Sequence, residues 1–159
     1  MKIKILCVGK IKEHYLKEGI DEFLKRLKVY SKIDIIEVKE TKIKDNPRLI
    51  EIDEVINEEG HKLIALIEKD DFIVTLDVNG QEINNVEYTE ILQKAWLNGY
   101  SSFVFVIGGS YGISKEVIKR GNFNWSFSKL TYTHQMIRLL LLEQIYRGFR
   151  IINNEPYHK

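Results

Sequence analysis

The chain has 159 residues, of which 44% are apolar and 30% charged, a balance typical of a folded globular protein rather than a disordered one. No window approaches 18 uncharged apolar residues, so we expect no membrane span. The net charge of +1 hides an asymmetry that is compatible with a polyanionic partner: residues 1–100 carry 16 basic against 20 acidic residues, whereas residues 101–159 carry 8 against 3.

The first predicted element is a strand at 2–8, where MKIKILCVG alternates lysine with isoleucine and then meets glycine. This start lacks the long apolar centre and the cleavage site of a signal peptide. Cys7 is the only cysteine of the chain, so it cannot form an internal disulfide and is expected to be a buried free thiol. We therefore expect a cytoplasmic protein.

Helix and strand patterns then alternate along the rest of the chain. Apolar residues three and four apart predict helices at about 12–30, 47–68, 86–98, 114–120 and 133–152. Alternating or continuous apolar runs predict strands at 32–38, 71–78, 102–107 and 125–130. Pro47 suits the first turn of the second helix, an Asn-Gly turn is expected at 79–80, and Gly99 is expected to end the third helix.

This alternation predicts a single α/β domain over residues 1–159, with a mainly parallel sheet and helices on both faces. Ligands of such sheets gather beyond the carboxyl ends of the strands. The stretch FVFVIGGSYGIS, residues 103–114, places a glycine loop at that edge. It lacks the lysine of a P-loop, and it lacks the spacing and the downstream acid of a dinucleotide fingerprint. A plain strand-to-helix turn and a ligand-contacting loop both remain open.

The last helix, within THQMIRLLLLEQIYRGFRII, is apolar around almost its whole circumference, so burial on more than one side is expected. A symmetric dimer packed on this helix would supply that burial. His134 and Arg138 share one face, and Arg147 lies opposite them with Glu143. The Glu143–Arg147 pair fits a purely structural ion pair, and His134 fits a residue that bonds a neighbour at the helix start.

The stretches FVFVIGGSYG, SFSKLTYTHQMIR and EQIYRGFRI, with the terminal PYHK, together resemble the SPOUT-class methyltransferases, and within them the ribosomal RNA large subunit methyltransferase H family. The resemblance spans the whole chain. It implies a homodimer with a C-terminal deep trefoil knot, a topology that sequence rules do not propose. It implies the cofactor S-adenosyl-L-methionine and methylation of N3 of a pseudouridine in the helix 69 loop of 23S rRNA in the assembled ribosome, with no metal and no membrane involved.

Site residues follow from the same resemblance. The implied cofactor contacts are Leu76, Gly108, Gly109, Phe127, Ser128, Lys129, Leu130, Thr131 and Tyr132. The implied catalytic residues are His134, Arg147, Tyr157 and His158. In this interpretation a histidine removes the proton from the acceptor nitrogen, and the glycines make room for the methyl donor. Phosphate binding or stabilisation of developing charge is assigned to Arg138, Arg147 and Arg150.

Two residues depart from the usual family pattern. Thr133 replaces a proline and is expected to cap the helix start, and Gly148 replaces an alanine and is expected to loosen the last helix by roughly 1 kcal/mol. Two other functions stay open from the sequence: a SPOUT enzyme acting on another RNA such as a tRNA, and a ribosome-binding factor without catalysis.

Overall fold

The computed structural model describes residues 1–156, which form one sheet flanked by helices. The strands are β1 (Lys2–Val8), β2 (Lys32–Val38), β3 (Asp71–Glu82), β4 (Ser102–Ile107) and β5 (Phe123–Ser126). The helices are α1 (His14–Leu27), α2 (Leu49–Ile64), α3 (Asn85–Leu97), α4 (Lys115–Arg120) and α5 (Met136–Ile152). Every strand pairing in this part of the chain is parallel, in the order β2-β1-β4-β3-β5. The predicted α/β class is confirmed.

Alternate side chains of the strands enter two separate cores. On one face Ile5, Val74 and Phe105 pack with α1, α3 and α5. On the other face Leu6 and Val104 pack with residues of α2 and α4. Helices on both faces are therefore confirmed. No helix within residues 1–156 is long and apolar enough to cross a bilayer, and the trefoil knot stays a prediction.

The predicted turn at 79–80 is wrong, because β3 continues to Glu82. Its ladder with β5 contains a bulge: Leu76 and Gln81 both pair with Trp125, and residues 77–80 leave the ladder between them. Gly80 permits this path, since a Cβ at that position would lie 2.7 Å from the carbonyl carbon of Trp125. An Asn-Gly pair usually marks a hairpin, but here the chain pairs again with the same neighbour.

Three element boundaries also differ from the prediction. Pro47 lies outside the first turn of α2, because the cap is Arg48, whose N–H donates to the Glu51 carboxylate at 2.8 Å. β5 ends at Ser126, so residues 127–130 belong to a loop. α5 begins at Met136, and its cap residue is Gln135 rather than the predicted Thr133. The Thr133 hydroxyl still accepts the Met136 N–H at 3.1 Å, so it satisfies one backbone donor at the helix start.

A buried ion pair ties the amino ends of two strands together. Lys4 on β1 donates to Asp71 at the start of β3 at 3.0 Å, and both residues are buried. Asp71 also accepts the Glu68 N–H at 2.8 Å. Burial acts to raise the pKa of Asp71, but the nearby Ser102 hydroxyl, the Glu68 N–H and the Lys4 ammonium outweigh it, so the pKa lies below its ordinary value.

Candidate functional site

A cleft opens beyond the carboxyl ends of β3, β4 and β5, where parallel sheets bind ligands. It encloses about 630 Å³ when the open solvent at its mouth is included. Its walls come from the ends of these strands, from the glycine loop after β4, from the segment after β5 and from the start of α5. The lining residues are Leu76, Asp77, Val78, Ile107, Gly108, Gly109, Gly112, Ile113, Trp125, Ser126, Phe127, Ser128, Leu130, Tyr132, His134 and Ile137. None of these lining residues of the described chain is a lysine or an arginine, which disfavours a phosphate ligand.

The glycine loop closes on itself against the cleft. The Gly112 N–H donates to the Gly109 carbonyl at 3.1 Å, and Gly112 has a φ of 104°, in the left-handed region that favours glycine. A Cβ on Gly108 would lie 2.2 Å from the Gly112 carbonyl oxygen. The position of a side chain at Gly108 is thus filled by the loop's own backbone, and the expectation that Gly108 leaves room for a ligand stays a prediction.

Gly109 has a different neighbour, the carboxylate of Glu59 on α2. A Cβ at position 109 would lie 2.5 Å from Glu59 Oε2, and only 3% of Glu59 is exposed. Its other oxygen, Oε1, accepts the Thr41 N–H at 2.9 Å. Burial raises the pKa of Glu59, and the nearby Glu40 adds to the effect. Glu59 therefore supports the glycine loop from behind, a role that sequence reasoning missed because nothing marks this residue within a polar helical pattern.

The segment after β5 forms the opposite wall and is held by its own serines. Ser126 Oγ donates to the Ser128 carbonyl at 2.9 Å, and Ser128 Oγ accepts the Leu130 N–H at 3.0 Å. Ser128 Oγ also lies 3.2 Å from the Tyr132 hydroxyl. The Phe127 ring packs edge-on against Trp125, with 4.5 Å between ring centroids. These contacts fix the segment as a wall of defined shape.

The structure brings together seven of the nine predicted cofactor residues. These cleft-lining residues are Leu76, Gly108, Gly109, Phe127, Ser128, Leu130 and Tyr132. Lys129 and Thr131 lie on the same segment but are exposed and outside the lining. Sequence reasoning missed Asp77 and Trp125. Trp125 pairs with Leu76 across the β3–β5 ladder, and Asp77 is the next residue of β3, at the start of the bulge. Recognising that pairing would have placed both residues beside the predicted contact Leu76.

His134 lines the cleft where the first turn of α5 approaches the sheet. Its Nδ1 lies 3.5 Å from Ser110 Oγ, and its Nε2 faces Gly9 at the end of β1. Burial lowers the pKa of His134, and the Arg138 guanidinium lowers it further, while Glu40 acts in the opposite direction. The imidazole is therefore neutral near pH 7, the form in which it accepts a proton.

Arg138 is a structural residue, which corrects the expectation that it binds phosphate. Its side chain is 0% exposed. Its guanidinium donates to Glu37 at 2.9 Å and to the carbonyls of Val8 and Gly9 at 2.7 and 2.8 Å. A further bond reaches the carbonyl of His134 at 3.1 Å. Arg138 thus ties the first turn of α5, and with it His134, to the carboxyl ends of β1 and β2.

Arg147, the other predicted catalytic residue within the described chain, does not line the cleft. Arg147 pairs with Glu143 at 2.6 Å, so the ion pair expected from their spacing is present. Arg150, a second candidate for phosphate binding, pairs with Glu155 at 2.7 Å. Tyr157 and His158 lie outside the described residues. His134 is the one predicted catalytic residue that residues 1–156 place in the cleft.

Comparison with known proteins gives the family. The model of a family described as "Predicted SPOUT methyltransferase" matches residues 1–158. Proteins of Halothermothrix orenii and Carboxydothermus hydrogenoformans, both named ribosomal RNA large subunit methyltransferase H, are each 46% identical over 159 residues, which is 100% of either chain. The chain therefore belongs to the SPOUT methyltransferases and, within them, to the ribosomal RNA large subunit methyltransferase H family.

A solved structure supports the fold at greater evolutionary distance. A protein described as a "probable methylase family protein" from Haemophilus influenzae Rd KW20 matches with a TM-score of 0.54 and 12% identity. The match covers 99% of this chain and 70% of that one. At this identity the likeness shows the α/β fold alone.

Proposed function

We propose that this protein uses S-adenosylmethionine to methylate N3 of a pseudouridine in the helix 69 loop of 23S rRNA, on assembled ribosomes in the cytoplasm. The observation that carries the proposal is the composition of the cleft at the carboxyl ends of β3, β4 and β5. The cleft is lined by apolar and aromatic side chains and by the backbone of its glycines. None of its lining residues in the described chain is a lysine or an arginine.

The residues present fit this methyl donor. Trp125, Phe127 and Leu130 offer apolar surface for an adenine ring, and the backbone of residues 127–132 offers donors and acceptors for its edge. S-adenosylmethionine supplies a methyl group on a positively charged sulfur. Since no phosphate has to be held, the absence of a P-loop lysine in the glycine loop is consistent with this ligand.

His134 is the proposed general base for the acceptor nitrogen. The N3 position carries a proton that must leave when the methyl group arrives, and a neutral imidazole at the cleft wall can take it. Because burial and Arg138 lower its pKa, His134 remains a base below its ordinary titration range. The reaction rate is therefore expected to rise with pH and to reach half of its plateau below about pH 6.5, the ordinary pKa of histidine.

In this proposal the other catalytic residues come from the C-terminal end of the chain. We propose a homodimer in which Arg147, beside Glu143, faces the RNA, and in which Tyr157 and His158 complete the pocket of the other subunit. The basic excess of residues 101–159 supports an RNA partner at this end. The names of the curated relatives, which refer to the large ribosomal subunit, support the choice of RNA.

The test uses purified protein, labelled S-adenosylmethionine and ribosomes from a strain that lacks this methylation. The expected result is label at one pseudouridine of 23S rRNA, located by mass spectrometry of nuclease fragments. Label in tRNA would instead assign the protein to another RNA, and donor binding without incorporation would indicate a non-catalytic factor. His134→Asn should abolish transfer but retain donor binding, whereas His61→Asn, a change at an exposed histidine outside the cleft, should have no effect.

A further inference from the structure

Asp77 is the only acidic residue among the cleft-lining residues of the described chain. It follows Leu76, which forms the last pair of the β3–β4 ladder with Ile107. Asp77 and Gly108 are therefore the next residues on two adjacent strands, side by side at the edge where the cleft opens. The neighbouring walls are apolar or uncharged, so Asp77 determines the sign of the charge in this part of the cleft.

The bulge in β3 explains why this position is available. Residues 77–80 leave the β5 ladder, and pairing resumes at Gln81 opposite the same Trp125. Gly80 fixes the return path by packing against the Trp125 backbone. Bulges beside functional sites commonly redirect a side chain out of the regular alternation of a strand. Here the bulge begins at the single carboxylate of the cleft.

In the described chain, Asp77 also differs from nearby carboxylates in having no partner. The buried Asp71 pairs with Lys4, and the more exposed Glu37 pairs with Arg138. Glu59 accepts the Thr41 N–H. Within residues 1–156, the Asp77 carboxylate forms neither an ion pair nor a hydrogen bond. A carboxylate at the edge of an apolar cleft, with no cation of its own, is suited to a cationic ligand.

We propose that Asp77 selects the positively charged methyl donor over its neutral-sulfur product. This inference rests on the proposed function, and it assigns a specificity residue that the sequence did not single out. The carboxylate attracts the sulfonium charge of S-adenosylmethionine, and that attraction is lost once the methyl group has left. Asp77 therefore favours binding of the donor and release of S-adenosylhomocysteine.

Isothermal titration of the full chain with three ligands tests the inference. The ligands are S-adenosylmethionine, S-adenosylhomocysteine and sinefungin, which carries a protonated amine in place of the methylsulfonium. Asp77→Asn is expected to weaken binding of the two charged ligands by about tenfold or more, the size of one lost charge-assisted bond. Binding of S-adenosylhomocysteine should change by no more than about twofold. Asp77→Glu keeps the charge and should preserve most of the preference.

Asp70→Asn is the matched control. It removes an exposed carboxylate that immediately precedes β3, at the end of this strand that lies away from the cleft. It should alter none of the three affinities. Equal weakening of all three ligands by Asp77→Asn would overturn the inference, since Asp77 would then bind a part that they share. Unchanged affinities would overturn it too. A wild-type chain that binds none of the three would refute the proposed function, and the inference with it.

Discussion

Replacing Gly148 by alanine sets two effects of known size against each other. Alanine is more favourable than glycine inside a helix by about 1 kcal/mol, which is the basis of the expectation that Gly148 loosens α5. In the structure, however, a Cβ at position 148 would lie 2.8 Å from Cε1 of Tyr88. Tyr88 is only 2% exposed, and its ring stacks on Trp125 with 4.4 Å between centroids. The ring therefore has little freedom to move away.

Overpacking of this kind costs about 1–3 kcal/mol, so the clash outweighs the gain in helix propensity. We expect Gly148→Ala to lower the free energy of unfolding by about 1 kcal/mol, or the Tm by about 2–4 °C in a chain of this length. Because Trp125 lines the cleft, the displaced Tyr88 ring should also weaken binding of the methyl donor. Urea titration followed by circular dichroism measures the first effect, and calorimetric titration measures the second.

Gly19→Ala provides the matched control, since Gly19 also lies inside a helix. Its added Cβ would meet the terminal methyl groups of Leu139 at 3.0 and 3.1 Å, and these can rotate aside. This variant should be neutral or stabilised by up to about 1 kcal/mol. In a Tyr88→Leu background, Gly148→Ala should become stabilising as well. The reasoning is refuted if Gly148→Ala raises the Tm as much as Gly19→Ala does.

Three further predictions concern the loop, the anchor of α5 and the buried ion pair. Gly108→Ala should abolish donor binding in a calorimetric titration, because its Cβ would lie 2.2 Å from the Gly112 carbonyl oxygen. Arg138→Met should cost about 1–3 kcal/mol for each of the Val8 and Gly9 carbonyls that it leaves unpaired, as measured by urea denaturation; an unchanged free energy of unfolding would refute the anchoring role of Arg138. The pKa of Asp71 lies below its ordinary value of 3.8, so its stabilisation is present above that pH and is lost as the pH falls through the folded-state pKa. Urea midpoints below about pH 4 should therefore fall less steeply in Asp71→Asn than in the wild type.

The alternating patterns at 2–8 and 32–38 and the continuous apolar run at 102–107 were sufficient to predict three strands, and the structure confirms all three. β1 and β4 lie between neighbouring strands and are almost fully buried, so their apolar residues follow directly from burial. β2 is the edge strand beside β1, and its alternating pattern fits its partial burial. The bulge in β3 was not predictable in this way. Asn79-Gly80 is a local hairpin signal, whereas the return to the ladder depends on Trp125, far along the chain. A local pattern cannot report a pairing that a distant strand decides.

The same distinction separates the chemistry of the candidate site from its geometry. The absence of a lysine in FVFVIGGSYGIS was visible in the sequence, and it excluded a P-loop. Why the loop needs its glycines was not visible, because the atoms that fill the space beside them belong to Gly112 and to Glu59 on a different helix. His134, likewise, is held by a hydrogen bond from the buried Arg138. The sequence pattern alone places Arg138 on a helix face but does not show that its side chain is buried. The residues that contact a ligand can therefore be proposed from a motif, but the residues that shape the cleft become apparent only from the contacts between elements.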